Sequence, residues 1–589
     1  MKPTPEEMGR STSTKANKPP GHDIFCTPEN SDFLSRVPYQ DLNATAREIR
    51  LLKVLPDSGS GFVECELLPN ISLYHMYKKY RALSYCAGDA RNTKPVLVNG
   101  ARCNVFANLH HALTVVRHHW KTYGYQQELL LWVDQICINQ TNLTERSHQV
   151  GFMRDIYRGA KQTFICLSTT KTEGLGLKWF AELWQAHIED YYQKFAQDTG
   201  ILLNNAWDTD ARAETRTYST DISSDATREF LRIKMTEQTF ISGLAKFCDF
   251  LKSPWWERAW VFQEFMMSSQ PTFLLGHHAM PFQEIVGLLP ELCTLAVETL
   301  SGPDSTYRSQ FIRELKTLHY RPTQIHEVIT VVLRIFLAGT EWRRTTDLKL
   351  LLVYTQKSQA SDSRDKIYSM IGLAHPGYGI IANYAPENSL HRVLVETTRR
   401  IISFENSLEV LSYLPRGSSK PDRKDMLPSW VVDWARNDHI PVASSERRVN
   451  TITIGGFVPH HINGKRADAS FYGVSDPQNP HNKESVLEVW AVFLDHNFSS
   501  SLFPGRYFGS QGYKIRLKSA VEYNHELWVL CGAREPFLLE KYSYGYRVVT
   551  QVECEDLLED LDEGRLSEFA DQFGDLDTAR MGRQRIRIF

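Results

Sequence analysis

Three segments of the sequence place polar side chains at or beside the ends of apolar runs. These segments are residues 80–89, 131–140 and 255–264. The first leads through Ser84 and Tyr85 into a Gly-Asp turn, and the second places Asp134 directly after an apolar run. Ligands of open α/β sheets bind beyond the carboxyl ends of the strands, where such hydroxyl and carboxylate groups can contact them. The three segments are therefore the candidate binding elements of the chain.

Other patterns point to different chemistry but lack the partners that this chemistry needs. The pairs at residues 110–111 and 118–119 are His-His, about two turns apart on one predicted helix, without the carboxylate or Cys that would complete a metal site. Cys137 could be a nucleophile activated by a distant His, but it follows an apolar strand, where a thiol is usually buried and inert. Residues 505–512 are Gly-spaced but lack the frame of a phosphate loop, and no Gly-x-Ser-x-Gly elbow occurs.

The elements that carry these segments alternate between strands and helices. Apolar runs at residues 82–85, 129–133 and 163–167 predict strands, and helical spacing is found near residues 104–120 and over residues 145–160. Such alternation predicts a parallel sheet.

Helix-start signals occur at two places in the same region. Asn142, three residues before Glu145, predicts a capping box. Ser253, followed by Pro, predicts the N-cap of one helix that runs through Trp260 to Phe265, and a strand at residues 272–275 closes the unit.

Composition and apolar periodicity along the chain predict five successive segments. They are a disordered arm (1–36), an α/β domain with a helical insertion at about 171–250 (37–300), a helical middle region (301–425), a β-rich unit (426–556) and an acidic then basic tail (557–589). Residues 281–300, 326–338 and 390–402 read as helices of the middle part, and the tail as a solvated, frayed terminus.

Four motifs, in order, resemble the fungal heterokaryon incompatibility (HET) domain family. They are residues 80–89, 131–140, 145–160 and 258–264. Residues 362–373, 427–434 and 532–537 are also similar to stretches of large HET proteins, so the resemblance extends from Tyr80 to about Val552. Ala87 departs from the Trp usual in the family, Ser363 from Pro, and residues 524–526 from Gly-Asp.

The resemblance implies a self/non-self recognition effector that promotes cell death when genetically different hyphae fuse. The HET motifs also resemble those of TIR domains, which implies a TIR-like, flavodoxin-like doubly wound sheet and, since some TIR domains hydrolyse NAD, an NAD-cleaving activity. In this comparison residues 260–264 resemble the helix of the catalytic glutamate, so Glu264 is the catalytic candidate and NAD the candidate substrate, with no further cofactor required.

Cleavage of the nicotinamide–ribose bond passes through an oxocarbenium-like state that a nearby carboxylate stabilises. Helical spacing places Trp260 one turn before Glu264, so its indole is expected to form a wall of the pocket. The remaining candidates are Ser84, Tyr85 and Asp89 on the diphosphate or ribose side, and Asp134, Asn139 and Gln140 over the base.

Structural interpretations of the same residues remain open. Glu264 could pair with a nearby Arg, Trp260 could be a core residue, and Asn139 and Gln140 could fix the backbone of their loop. On this interpretation the domain is a non-enzymatic signalling module that recruits partners. Self-assembly and a protein partner in incompatibility signalling are expected under both interpretations.

Composition and charge narrow the setting in which the protein works. Lys+Arg 67 against Asp+Glu 69 gives a formal charge of -2, which predicts no attraction to nucleic acid or anionic membranes. The first 20 residues lack the apolar core of a signal peptide, and no run approaches the ~18 apolar residues of a membrane span. The ten cysteines are scattered, without a CxxC pair. We therefore expect a cytoplasmic protein with reduced thiols.

Overall fold

A computed structural model describes most of the chain. The described residues are 30–123, 127–167, 173–199, 224–275, 278–301, 306–317, 321, 332, 335, 347–414, 427–436, 469–476, 479–501, 505–510, 513–517, 521–533, 536–554 and 583–589. Most of the predicted arm (1–29), all but residues 332 and 335 of the predicted helix at 326–338, and the acidic part of the tail lie outside them. No helix of the described part is both long and apolar enough to cross a membrane.

The N-terminal part contains a nine-stranded mixed sheet. Its strands are β1 (Glu48–Val54), β2 (Glu64–Ser72), β3 (Arg81–Tyr85), β4 (Thr93–Val98), β5 (Ala101–Phe106), β6 (Leu129–Trp132), β7 (Gln162–Cys166), β8 (Pro271–Leu275) and β9 (His278–Pro281). Their order across the sheet is β5-β4-β2-β1-β6-β3-β7-β8-β9. The mixed α/β architecture is confirmed, and the three strands predicted from apolar runs before residue 170 are β3, β6 and β7.

The centre of the sheet consists of four parallel strands. β3 pairs in parallel with β6 and β7, and β7 pairs in parallel with β8. Every residue of β3 is buried, as expected for a central parallel strand that is covered on both faces. Numbered along the chain, the parallel strands lie in the order 2-1-3-4, the order of flavodoxin-like sheets. The sheet differs from the expected doubly wound parallel sheet because antiparallel pairs extend it on both sides.

The helices connect these strands and continue into the middle of the chain. They are α1 (Ser31–Arg36), α2 (Ala107–Thr122), α3 (Asp134–Cys137), α4 (Leu143–Gly151), α5 (Met153–Gly159), α6 (Glu173–Thr199), α7 (Ser224–Lys234), α8 (Gln238–Leu251), α9 (Val261–Met266), α10 (Phe282–Ser301), α11 (Thr306–Thr317), α12 (Leu348–Thr355), α13 (Asp365–Ile371) and α14 (Leu390–Glu405). Short 3₁₀ helices are Pro254–Glu257, Pro376–Tyr378 and Glu409–Tyr413. Three helices, α6 to α8, lie in the expected helical insertion.

The C-terminal part is rich in strands, as the sequence predicts. Its strands are β10 (Ser470–Asp476), β11 (Asn479–His496), β12 (Ser499–Ser500), β13 (Arg506–Phe508), β14 (Lys514–Arg516), β15 (His525–Leu530), β16 (Phe537–Tyr542), β17 (Gly545–Gln551), β18 (Glu553–Cys554) and β19 (Arg583–Ile588). They form a six-stranded sheet, β10-β11-β15-β16-β17-β19, and a four-stranded sheet, β12-β13-β14-β18.

Two terminal predictions are wrong where the structure describes the chain. Residues 31–36 of the predicted arm form α1, in which Phe33 is fully buried, and Asn30 exchanges hydrogen bonds with the backbone of Asn104. The basic residues of the tail form β19, which pairs with β11 along six residues. Both segments are polar in sequence, but alternate residues such as Ile586 and Ile588 are buried.

Candidate functional site

The candidate site lies at the carboxyl ends of the parallel strands β3 and β7. In the 2-1-3-4 order, these two neighbours flank the position where the strand order reverses, and ligands of open α/β sheets bind at such a switch point. Ser84, next to last in β3, is paired with Ile165 of β7. Ser253 donates a 2.8 Å hydrogen bond to the carbonyl of Leu167, directly after β7. The segment that begins at Ser253 is thereby attached to this edge of the sheet.

The Glu264 carboxylate is buried and has three polar contacts. The guanidinium of Arg258 donates to both carboxylate oxygens, at 3.1 and 3.2 Å. The Ser84 hydroxyl donates a short hydrogen bond to the same carboxylate. The Glu264 side chain is only 2% exposed and the Arg258 side chain 18%. The sequence prediction that Ser84 and Glu264 share a site is consistent with this contact, and so is the alternative that Glu264 pairs with an arginine.

A tryptophan completes the cluster, but it is Trp255 and not the expected Trp260. The indole of Trp255, fully buried, donates a 2.7 Å hydrogen bond to the Ser84 hydroxyl. Trp260 is instead hydrogen-bonded to the carboxylate of Asp365 in α13. The expectation placed Trp260 and Glu264 on one helical face, whereas Trp260 is the N-cap of α9 and its side chain leads to a different element.

The local backbone explains why Arg258 reaches Glu264. Ser253 caps the 3₁₀ helix Pro254–Glu257, with Pro254 at its first position, as predicted. The single helix predicted from there to Phe265 is wrong, because Arg258 is extended (φ −71°, ψ 139°) and α9 starts only at Val261. Residues six apart do not face each other on a helix. The break at Arg258 therefore allows its side chain to turn back onto Glu264.

Burial and charge act in opposite directions on this pair. Burial raises the pKa of Glu264, and Arg258 and the hydrogen bond from Ser84 oppose this shift. Burial lowers the pKa of Arg258, but Glu264 and the neighbouring Cys86, Asp134 and Tyr157 together raise it above its usual value, so Arg258 remains a cation. The result is a buried ion pair in a low-dielectric environment, where each charge depends on the other.

A second polar cluster lies at the end of β6. The hydroxyl of Tyr85 donates to the carboxylate of Asp134 at 3.1 Å, and burial together with this carboxylate raises the pKa of Tyr85. The side-chain amide of Gln140 donates to the Asp134 carbonyl at 2.8 Å. Asp134 is also close enough to raise the pKa of Glu264. The candidates Ser84, Tyr85, Asp134, Gln140 and Glu264 thus belong to one region of the fold.

Two buried amide groups in this cluster have an unused polar atom. Gln135 accepts from the backbone N–H of Phe106 with its Oε1, which fixes its Nε2 as the free donor. Gln140 donates with its Nε2, which fixes its Oε1 as the free acceptor. Within the described residues neither free atom has a hydrogen-bond partner, and both side chains are at least nine-tenths buried. Each such atom costs about 1–3 kcal/mol, so a pair of them calls for an explanation.

Two sequence candidates have other partners. The Asp89 carboxylate pairs with Arg91 on the surface, which lowers the pKa of Asp89 to about 2. Asn139 accepts from the backbone and hydroxyl of Thr141, which is the loop-fixing role of the structural alternative. The turn before Asp89 requires glycine, because Gly88 has φ +80° and a Cβ would lie 2.6 Å from Asn108.

The patterns that pointed to other chemistry have structural roles where they are described. Burial raises the pKa of the Cys137 thiol to about 12, so it is not a nucleophile near neutral pH. The ring of His119 packs against Phe164, and burial lowers its pKa to about 4. Among the described residues no group of three His, Cys, Asp or Glu side chains is placed to bind a metal ion.

Two residues that determine this geometry, Arg258 and Arg50, had no role predicted from the sequence. Arg258 is part of the third motif, and its charge close to Glu264 was the available signal. Arg50 in β1 is fully buried and pairs with Glu145 of α4 at 2.6 and 3.0 Å, while the N–H of Asn139 donates to Glu145. Asn142 caps α4 as predicted, but Glu145 binds Arg50 and does not complete the capping box.

Comparison with known proteins gives a family match over the segment that contains this site. Residues 80–264 match the family model described as Heterokaryon incompatibility protein (HET). Heterokaryon incompatibility protein 6, OR allele, of Neurospora crassa is 26% identical over 382 residues, which are 60% of this chain and 53% of that protein. The chain therefore spans about half the length of this curated relative. No solved structure matches the chain.

The matched segment begins at Tyr80, next to β3, and ends at Glu264, so it contains Ser84, Asp134 and Arg258 together with the strands that position them. Through this segment the chain is similar to heterokaryon incompatibility (HET) proteins.

Proposed function

We propose that the protein is a heterokaryon-incompatibility effector of self/non-self recognition, and that it promotes cell death by hydrolysing NAD to nicotinamide and ADP-ribose. The family match supports the first part. The observation that carries the second is the buried carboxylate of Glu264 beside Ser84 at the switch point of a 2-1-3-4 parallel sheet. A carboxylate in a low-dielectric site is suited to a substrate that develops positive charge.

The proposed reaction needs an anion more than it needs an acid. The bond between C1′ of the ribose and the nicotinamide nitrogen breaks, both electrons leave with the neutral nicotinamide, and the ribose passes through an oxocarbenium-like state. Glu264 stabilises this positive charge. Water then bonds to C1′ and releases its proton to solvent, which gives ADP-ribose.

Arg258 determines whether substrate reaches the carboxylate. In the conformation described, its guanidinium covers both oxygens of Glu264. Guanidinium groups also pair bidentately with phosphate oxygens. The diphosphate of NAD therefore offers Arg258 an alternative partner, and exchange of partners would expose Glu264 to the ribose.

The free polar atoms of Gln135 and Gln140 match the group that must be recognised. A primary carboxamide, as in nicotinamide, presents one acceptor and two donor hydrogens. Gln135 has a free donor and Gln140 a free acceptor, beside Tyr85 and Asp134. We assign these two amides to the carboxamide of the nicotinamide ring.

The test is chromatography of nicotinamide and ADP-ribose after incubation of the full chain with NAD, with Glu264→Gln alongside. Activity in the wild-type protein and none in the variant is expected. Glu264→Gln leaves Arg258 half of an ion pair, so Arg258→Met/Glu264→Gln, which removes both charges, distinguishes loss of chemistry from loss of folding. The proposal is wrong if the wild-type protein releases no nicotinamide, or if a folded double variant turns over NAD as the wild type does.

A non-enzymatic signalling module that recruits protein partners is the second candidate. The complete pairing of Glu264, which is 2% exposed, favours it, because a structural ion pair needs no substrate. If the protein has this function, substitutions in the proposed NAD site do not change partner binding. A folded Glu264 variant then still promotes cell death.

A further inference from the structure

The motif at residues 362–368, which lies beyond the family match, packs against the segment that carries Glu264. It begins in the loop before α13 and continues into that helix. Asp362 and Arg364 pair with each other, and Arg364 also donates to the carbonyls of Ala385 and Asn388. The motif thereby connects the start of α13 to residues 383–388. We call residues 359–384, which contain the motif and end at Tyr384, the brace.

The first contact of the brace encloses Arg258. The N–H of Gln359 donates to the Glu257 carbonyl at 2.5 Å, and the N–H of Ala259 donates to the Gln359 carbonyl at 3.0 Å. These two hydrogen bonds flank Arg258 in the chain and form a parallel bridge with it. They stabilise the extended conformation from which Arg258 reaches Glu264.

The second contact involves the start of α9. The Asp365 carboxylate accepts from the indole of Trp260, the N-cap of α9, and from the hydroxyl of Tyr384 at 2.5 Å. In a third contact, Gly372 packs against Gln263, since a Cβ at position 372 would lie 2.0 Å from the side-chain amide nitrogen of Gln263. The brace therefore contacts the segment before, at and next to Glu264.

The opposite side of the brace contacts α4 of the family-matched region. The guanidinium of Arg146 lies 3.7 Å from the ring centre of Tyr384, and the N–H of Tyr384 donates to the Ser147 hydroxyl at 3.0 Å. Tyr384 is buried. The brace thus connects α4 and the Glu264 segment, two parts of the matched region that lie more than a hundred residues apart.

We propose that residues 359–384 act as a positioning brace for the Arg258–Glu264 pair, with Gln359 and Asp365 as its positioning residues. The functional unit then extends past the family match and past the boundary expected near residue 300. The expected effect of the brace on NAD cleavage rests on the proposed function, whereas its stabilisation of residues 257–266 does not. A small displacement of a reacting group costs about 100-fold in rate, which is why a remote brace can control chemistry.

The test compares four variants of the full chain with the wild type. Gln359→Pro removes the N–H that donates to Glu257, and Gln359→Ala keeps it. Asp365→Asn removes the charged acceptor of Trp260 and Tyr384. Asp495→Asn replaces another buried carboxylate, in the C-terminal sheet, and is the control. The readouts are amide hydrogen exchange over residues 257–266 and the pH profile of nicotinamide release.

We expect faster exchange over residues 257–266 in Gln359→Pro and Asp365→Asn, but not in Gln359→Ala or the control. The kcat of Gln359→Pro and of Asp365→Asn should fall about 10- to 100-fold. The groups acting on the Glu264 carboxylate are Arg258, Ser84 and Asp134, with Tyr157 also close. Because Arg258 opposes the rise in the pKa of Glu264, a loosened pair moves the acidic limb of the pH profile to higher pH.

Unchanged exchange over residues 257–266 in both brace variants overturns the brace, whatever the activity. If hydrogen exchange rises but the acidic limb of the pH profile does not move, the brace does not act on the Arg258–Glu264 pair, and this part of the proposal is overturned. If no form of the protein releases nicotinamide and exchange still rises in both variants, the proposed activity fails and the brace is supported.

Discussion

At the scale of single residues, Ser84 has the most demanding position in the candidate site. Its hydroxyl donates to Glu264 and accepts from the indole of Trp255, so both capacities of one oxygen are used inside a buried strand. A residue in this position affects chemistry and stability together. Separating the two effects requires variants that remove one of them.

Ser84→Ala should destabilise the protein by about 1–3 kcal/mol, because it leaves the buried indole N–H of Trp255 without an acceptor. It should also raise the pKa of Glu264, whose shift Ser84 opposes. Urea unfolding measures the first effect, and the acidic limb of the pH profile of NAD cleavage the second.

Ser58→Ala, an exposed serine that donates to Glu64, is the matched control and should change neither quantity. A Ser84→Ala protein as stable as the wild type would contradict the role given to the Trp255 hydrogen bond.

At the scale of elements, a buried ion pair joins the first strand to the loop of the site. Arg50 of β1 pairs with Glu145 of α4, and Glu145 also accepts from Asn139 in the loop after α3. Arg50 donates further to the carbonyls of Cys137 and Gln40. The pair therefore positions α3, which begins at Asp134, and the loop after it, which carries Gln140.

Glu145→Gln should lower the free energy of unfolding by about 3–5 kcal/mol, because Arg50 is left charged and buried without its partner. Arg50→Met/Glu145→Gln should recover much of this loss, since no charge then remains buried. Urea unfolding of the wild type, both single variants and the double variant gives the coupling energy. A double variant as unstable as the sum of the single ones would refute a direct coupling.

At the scale of the whole molecule, a second buried charge cluster contributes to the pH dependence of stability. Lys349 of α12 pairs with Asp347 at 3.1 Å and with Glu405 of α14 at shorter distance, and Tyr378 donates to Glu405 at 2.6 Å. With two carboxylates and one lysine, the cluster has an excess negative charge. Burial raises the pKa of Glu405 to about 7. The Lys349 ammonium opposes this rise, and the Asp347 carboxylate adds to it.

Glu405 should make the protein less stable as pH rises from about 5 to 7. Above pH 4.5, the ordinary pKa of a glutamate, the unfolded chain has released the Glu405 proton, whereas the folded state still binds it. Folding is therefore favoured at the low end of this window. The raised pKa corresponds to about 3 kcal/mol over the window. Glu405→Gln should flatten this part of the stability curve, measured by urea unfolding at pH 5, 6 and 7.

The exposed Glu396→Gln, on the same helix, serves as the control and should keep the wild-type slope. Histidines with lowered pKa, such as His119, act in the opposite direction, so the difference between variant and wild type is the quantity to compare. An identical slope in Glu405→Gln and wild type would contradict a raised pKa.

The C-terminal strand gives a further prediction at this scale. β19 pairs with β11, and the carbonyl of Phe589 accepts from the N–H of Ser429 at 3.1 Å. Removal of residues 583–589 should expose the edge of β11 and destabilise the C-terminal sheet, because Ile586 and Ile588 are buried there. Limited proteolysis should then cut within residues 479–554 earlier than in the full chain; equal cleavage rates would contradict this role.

The sequence by itself determined the elements whose signals are local. The strands β3, β6 and β7, the caps Asn142 and Ser253, and the grouping of Ser84 with Glu264 follow from apolar runs, from capping side chains and from motifs of the family. Each signal lies within a few residues of the element it predicts. The TIR-like likeness and the domain boundaries stay predictions.

Only the tertiary structure decided which groups meet. Arg258 reaches Glu264 because Gln359 keeps the intervening chain extended, Trp260 turns to Asp365, and the basic tail becomes a strand beside β11. In each case the partner lies far along the chain or beyond a helix break. Periodicity describes neighbours within one element, whereas burial selects partners by the free energy of desolvation and pairing, which depends on residues brought together from the whole chain.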